Sequence, residues 1–237
     1  MFSILSNNDL TALYLTLQLA LVSTVILLVL GMPLAWWLAR RAHRLKPLLE
    51  AIIALPLILP PTVIGFYLLI AFSPNSWPAK IWYATFGSNL AFSFSGLVLG
   101  SVIYSLPFVV QPLQSSYENV SRHTLLIAAS LGANRLDRFR SVIWPMTRRS
   151  TVAAAALAFC HTVGEFGIVL MIGGSIPGET QVLSIALFDH VESLNYGGAH
   201  SIALLLLLFS FISLFILYSA GYRSTFHAQR AITGLRR

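Results

Sequence analysis

Long apolar stretches separated by short polar segments dominate the chain. Five of them, 10–39, 48–72, 92–114, 152–172 and 201–222, match the about 20 residues a helix needs to cross roughly 30 Å of hydrocarbon. The first is longer than a crossing requires, and Gly31-Met32-Pro33 is expected to kink it or end its regular part. In the third, Pro107 and Pro112 are expected to distort the last turns without preventing a crossing, because neighbouring helices can satisfy freed carbonyls. The start of the chain has neither a basic stretch nor a small-residue cleavage pattern, so no signal peptide is read there.

Two segments outside these stretches carry helical patterning. Between the third and fourth, 115–151 is too polar to cross a membrane. Residues 117–131 predict a helix that Gly132 ends. Asn134 then caps a second short helix over 135–143 that Pro145 stops. Leu136 and Phe139 lie three apart, on one side of it, among Arg135, Asp137, Arg138 and Arg140. An apolar pair in a basic rim suits docking into a partner's groove. It equally suits a helix resting on the inner leaflet with its arginines on lipid headgroups. The second segment, 182–194, places Val182, Ala186 or Leu187, Val191 and Leu194 near helical spacing, with Asp189 and Glu192 nearby. It fits a position on the outer membrane surface, a position between spans, or a contact for an external binding protein.

Composition agrees with lipid as the solvent. Of the 237 residues, 57% are hydrophobic and 10% charged, with mean hydropathy +0.77; a soluble fold with so little charge could not cover its surface. The net charge of +7 is informative through its placement. Arg40, Arg41, Arg44 and Lys46 follow the first stretch, and Arg122, Arg135, Arg138, Arg140, Arg148 and Arg149 lie between the third and fourth. Arg223, Arg230, Arg236 and Arg237 end the chain, leaving only Lys80 elsewhere. With five spans, fourteen of the fifteen basic residues share one face, which the positive-inside rule makes cytoplasmic. Four or six spans would divide them. The expected architecture is therefore an all-α, polytopic membrane domain of five transmembrane helices, N-terminus outside and C-terminus inside. Basic residues beside membrane spans need no nucleic-acid partner to explain them.

The motifs narrow the class. Ala128-Ala129-Ser130-Leu131-Gly132, nine residues, then Val142-Ile143-Trp144-Pro145 resembles the EAA loop of ABC-importer permeases, in which Glu-Ala-Ala, three residues, Gly, nine residues, Ile, one residue and Leu-Pro follow each other. Ala128, Gly132 and Pro145 match, and Val142 replaces isoleucine conservatively. Leu126 stands at the glutamate position, Ile127 at the first alanine and Trp144 at the leucine. Gly31-Met32-Pro33-Leu34-Ala35, Leu55-Pro56-Leu57-Ile58-Leu59-Pro60-Pro61-Thr62-Val63 and Gly164-Glu165-Phe166-Gly167, with Ile172-Gly173-Gly174 and Ile176-Pro177-Gly178 behind it, resemble the molybdate permeases and their sulfate-permease relatives.

The resemblance spans about residues 11–222. It implies a bacterial inner-membrane permease working as a homodimer with two ABC ATPase subunits and an external, periplasmic binding protein. No cofactor is expected on this chain, ATP and magnesium being used by the partner ATPases. The cargo implied is molybdate, with tungstate or sulfate and thiosulfate as alternatives. The coupling residues implied are Ala128, Ala129, Gly132, Ala133, Asn134, Arg135, Leu136, Asp137, Arg138, Phe139, Arg140 and Pro145.

Glu165 is the residue most out of place, a carboxyl in an apolar stretch with His161 one helical turn earlier on the same side. Insertion scales put such a residue at about 2.5–3.5 kcal/mol, so it faces protein or water rather than lipid. Three roles stay open: an internal hydrogen-bonding residue, a gate or pathway residue together with His161, Gly164, Phe166 and Gly167, or a proton relay with His161 in a secondary transporter. A fixed carboxylate repels an oxyanion, which disfavours direct liganding of the cargo.

Other features are bland. Gly96 and Gly100 form a GxxxG, and Ala153–Ala156 open the fourth stretch; both fit internal packing better than a dimer seam. Gly173, Gly178, Glu179 and Thr180 mimic phosphate-loop spacing with an acid where the lysine belongs. His43, His123, His190, His200 and His227 show no metal-ligand spacing, and the single Cys160 forms no intrachain disulfide. No clustered acids or histidines at either interface support a membrane enzyme.

Overall fold

The computed structural model describes residues 6–41 and 44–234, the side chains of Tyr218 and of residues 220–234 excepted. His43, Arg236 and Arg237 fall outside the described residues, as do the side chains of Arg223, His227 and Arg230. Every regular element among the described residues is helical.

Helix α1 (Asn7–Arg40) opens on a reciprocal cap in which Ser6 accepts from the Asp9 backbone and the Asp9 carboxylate accepts from the Ser6 N–H. It runs through Gly31-Met32-Pro33, so that motif does not end it. The glycine instead permits a close approach: a Cβ at Gly31 would lie 2.9 Å from Val109 Cγ1. The partner is α5 (Phe94–Glu118), which likewise continues through Pro107 and Pro112. Trp36 meets Tyr117 edge-on with ring centroids 5.3 Å apart, and Arg40 donates to the Val120 carbonyl at 2.8 Å. Gly31 to Val109, Trp36 to Tyr117 and Arg40 to Val120 advance together, so α1 and α5 run parallel. The chain between them must therefore return to the end where α1 began.

That return is broken. The stretch 48–72, expected as one helix, is α2 (Lys46–Ile58) and α3 (Pro61–Phe72), bent by 112°. Pro60 and Pro61 remove two successive donors and hold Leu59 extended at φ −73°, ψ 140°. A short helix, α4 (Trp77–Phe86), is capped by Ser76 and ends at Gly87 with φ +68°, and it leads to α5.

After α5 the expected 117–131 helix is also divided, because α5 ends at Glu118 and Ser121 caps a new helix, α6 (Arg122–Ser130). Gly132 has φ +87° and Asn134 caps α7 (Arg135–Arg138), as the spacing predicts. Pro145 does not stop the next helix. A π-turn over Phe139–Ile143 carries α7 directly into α8 (Trp144–Val163), and Pro145 sits in the first turn of α8, where a missing donor is tolerated.

The fourth stretch is broken too: α8 ends at Val163, and α9 (Gly167–Gly173) starts after Gly164-Glu165-Phe166, bent by 59° from the 135–163 segment. Helix α9 packs against α3 and α5, where a Cβ on Gly65 would strike Met171 and one on Gly100 would come 2.3 Å from Ile172 Cδ1. Gly96 likewise serves internal packing, since its Cβ would fall 2.0 Å from the Leu90 carbonyl oxygen. Helix α10 (Leu183–Glu192) buries Leu183, Ser184, Ile185 and Ala186 while Val191 and Leu194 are exposed, so it is set into the bundle rather than laid on its surface. Helix α11 (Tyr196–Gly234) leaves most of its apolar side chains, Leu207, Phe211 and Phe215 among them, exposed.

By length and composition α1, α5 and Tyr196–Leu217 can each cross a membrane alone, and the α2–α3 and α8–α9 pairs raise the number to five if each is one crossing.

Candidate functional site

Two regions carry the predicted residues. The first is the loop from α6 to the π-turn. Asn134 Oδ1 accepts from the Leu136 and Asp137 N–H groups at 2.8 and 2.9 Å, and the Asp137 carboxylate returns to the Asn134 N–H at 3.2 Å. This box fixes the start of α7, so Leu136 and Phe139 project from a defined turn. Leu136 is 54% exposed and Phe139 37%. Leu126, at the position where the EAA pattern has glutamate, is 66% exposed, and Leu131 beside Gly132 is 82% exposed. An apolar strip on a polar loop is costly to leave in water. Arg135 and Arg140 are exposed around it, and Ala128, Ala129 and Ala133 supply the small surface between α6 and α7. The strip is mechanically tied to the membrane part: Ile143 at the end of the π-turn is buried, and Thr147 and Thr151 bond back to carbonyls one turn earlier in α8.

The second region is the α8–α9 break. Glu165 lies at this break rather than inside a continuous helix. It is 5% exposed, and neither carboxylate oxygen has a hydrogen-bond partner among the described residues. Ser23, Thr24 and Ser101 carry hydroxyls in the same unpartnered state, and the α1–α5 register sets Ser23 level with Ser101. Its backbone is held: the Ser184 hydroxyl donates to the Glu165 carbonyl at 2.6 Å, which ties the break to α10. His161 does not reach Glu165. Its Nδ1 lies 2.9 Å from Ser105 Oγ, and its ring is stacked against Phe108 at 4.1 Å and Tyr104 at 5.0 Å. Gly167 touches the start of α3, where a Cβ would lie 2.8 Å from Pro61 Cβ. Phe166 packs on Phe188 of α10 at 5.2 Å. Gly164, Glu165, Phe166 and Gly167 thus form a joint touched by α3 and α10. The predicted His161, on α8, stands apart from it and packs against α5.

Sequence reasoning missed two connections. The Asp9 carboxylate accepts from the His190 Nε2–H at 3.0 Å across 181 residues, and His190 Nδ1 also meets Asn195, so α1, α10 and the start of α11 are joined at one end. At the other end, Lys46 bridges Glu118 at 3.1 Å and Glu50 at 3.6 Å, with Gln114 donating to both carboxylates. The Ser6-Asn7-Asn8-Asp9 capping spacing could have marked the first from sequence; no local signal marks the second. Gly173, Gly178 and Thr180 form a tight turn in which Thr180 donates to the Gly173 carbonyl, a structural use of the phosphate-loop-like spacing.

The family described as binding-protein-dependent transport system inner membrane component matches residues 31–221. The chain belongs to that family. Over 216 residues this permease is 50% identical to the molybdenum transport system permease protein ModB of Azotobacter vinelandii, covering 91% of this chain and 96% of that one. It is 33% identical to the sulfate transport system permease protein CysT of Salmonella typhimurium over 215 residues, 90% and 77% of the two chains. A solved bacterial ABC transporter involved in import of the acidic polysaccharide alginate superposes with TM-score 0.71 at 13% identity over 93% of this permease and 80% of that chain. At that identity the likeness is one of fold. The permease is thus an inner-membrane component of a binding-protein-dependent transport system.

Proposed function

We propose that this permease is the transmembrane subunit of an ATP-driven molybdate importer, acting as a homodimer with two cytoplasmic ATPase subunits and an external binding protein. The observation that carries the cargo is the 50% identity with a molybdenum permease over nearly the full length of both chains. Tungstate and sulfate are the competing cargoes, being tetrahedral dianions as well.

Five crossings support the orientation. Helices α1 and α5 run parallel, so the broken α2–α3 pair makes the return. Helix α8 runs against α5, with Ser105 beside His161 and Thr162. Arg40, Lys46 and the α6–α7 loop then share the cytoplasmic end, and the Asp9–His190 contact lies outside.

Ala128, Ala129, Gly132, Ala133, Asn134, Arg135, Leu136, Asp137, Arg138, Phe139, Arg140 and Pro145 form the docking loop for the ATPase. Closure of the ATPases on nucleotide displaces α7. The helical connection through the π-turn passes that displacement to α8, and the joint at Gly164–Gly167 converts it into movement of α9 against α3. In this reading Glu165 is a positioning residue of the joint, without contact to the dianion. The absence of a hydrogen bond between His161 and Glu165 disfavours the proton-relay alternative.

The test is ATPase stimulation of the assembled transporter by its binding protein loaded with molybdate, tungstate or sulfate. Molybdate is expected to stimulate most. Stimulation by sulfate alone would reassign the cargo.

A further inference from the structure

A cleft of about 640 Å³ opens between the last third of α1 and the coupling loop. One wall is Val29, Met32 and Trp36, running about 10 Å along the helix at 1.5 Å per residue. The opposite wall is Phe139, and the rim is Arg135 and Arg138. The cleft therefore joins an exposed apolar strip of α1, Val29 being 66% exposed, to two guanidinium groups. Arg138 spends one N–H on the Asn134 carbonyl at 3.4 Å. Arg135 makes no ion pair among the described residues. The one carboxylate beside them, Asp137, is turned into the helix cap and satisfied there.

We infer that this cleft is a binding site for an anionic phospholipid of the inner leaflet, its acyl chain along Val29–Trp36 and its phosphate between Arg135 and Arg138. An apolar wall that continues into the exposed surface of α1, with basic side chains beside it, is complementary to such a lipid. A zwitterionic lipid fills the same apolar wall but gains less from the arginines. Because the occupant bridges α1 and α7, it sets the resting position of the coupling loop. The inference needs α1 to cross the membrane with Arg40 at its cytoplasmic end, and it is independent of the cargo.

The test is native mass spectrometry of the whole transporter, ATPases included, released from nanodiscs holding equal phosphatidylglycerol and phosphatidylcholine. Wild type is expected to retain phosphatidylglycerol preferentially. Arg135→Gln with Arg138→Gln is expected to remove the preference, and Val29→Trp, which fills the cleft, to lower retention of both lipids. Equal retention of the two lipids by wild type, or an unchanged preference in the double variant, would overturn the site. So would efficient cross-linking of Met32→Cys to the ATPase, which would put protein in the cleft. Arg135 and Arg138 also belong to the docking loop, so lipid preference is compared only among ions that retain the ATPase subunits; lipid counts are read without transport, so failure here is distinguishable from failure of the importer assignment.

Discussion

Gly96, Gly132 and Glu165 show how differently single residues are constrained. At Gly96 an added methyl collides with the Leu90 backbone oxygen at 2.0 Å, and no rotamer change relieves a backbone clash. At Gly132 nothing lies within 4 Å, and only the φ of +87° resists a side chain, at roughly 1–2 kcal/mol. Gly96→Ala is therefore expected to lower the melting temperature in detergent clearly more than Gly132→Ala. Equal shifts would mean that α5 can move away from the 90–93 turn. Glu165→Gln keeps the size of the side chain and replaces the carboxyl with an amide. As a positioning residue of the joint, it should leave the melting temperature near wild type while ATP-driven uptake falls. A fall in both would return Glu165 to a purely structural role. The sequence marked Glu165 as anomalous because a carboxyl in an apolar run is visible in composition. Its unpartnered state and the unlinked His161 depend on which neighbours the other helices bring, and one sequence does not show that.

At the scale of elements, hydropathy located the five apolar stretches but not their breaks. A window averages composition, whereas a break depends on backbone geometry at two or three residues. Pro60-Pro61 breaks a stretch that hydropathy reads as one helix. Gly164-Glu165-Phe166 breaks another, and there only the glycine signals an end. The opposite error occurs at Pro33 and Pro145. Each lies in a helix that continues past it, Pro33 because α5 packs on that turn and Pro145 because it sits in the first turn of α8. The start of α7 was legible down to its cap, because Asn134, Asp137 and Gly132 act through local hydrogen bonds and a local φ. Leu136→Asp with Phe139→Asp is expected to abolish co-purification of the ATPase while the permease still inserts, since the exposed apolar strip then carries two charges that a groove must desolvate. Co-purification at the wild-type level would show that the ATPase is held elsewhere. Lys46 joins α2 to α5 through partly exposed ion pairs, which individually contribute little. Lys46→Ala should accordingly change the melting temperature less than Gly96→Ala does.

For the whole molecule, charge placement leads to the expectation that the α1 end, the α6–α7 loop and the tail share one side; the parallel run of α1 and α5 supplies a geometric reason for the first two, and the tail's basic side chains lie outside what is described. The same charges are not interchangeable: Arg40 stacks over Trp36 at 4.7 Å and bonds to Val120, while Arg135 is free to meet a partner. What the sequence could not convey is that one continuous helical path runs from the α6–α7 loop through the π-turn and α8 to the break at Glu165. That path is the reason for reading the chain as a driven subunit rather than a self-sufficient carrier. The most direct measurement is molybdate uptake into proteoliposomes holding the permease with or without its ATPase. Uptake that requires the ATPase, internal ATP and loaded binding protein, with none from a pH gradient on the permease alone, is the predicted result. Uptake driven by a pH gradient through the permease alone would contradict it.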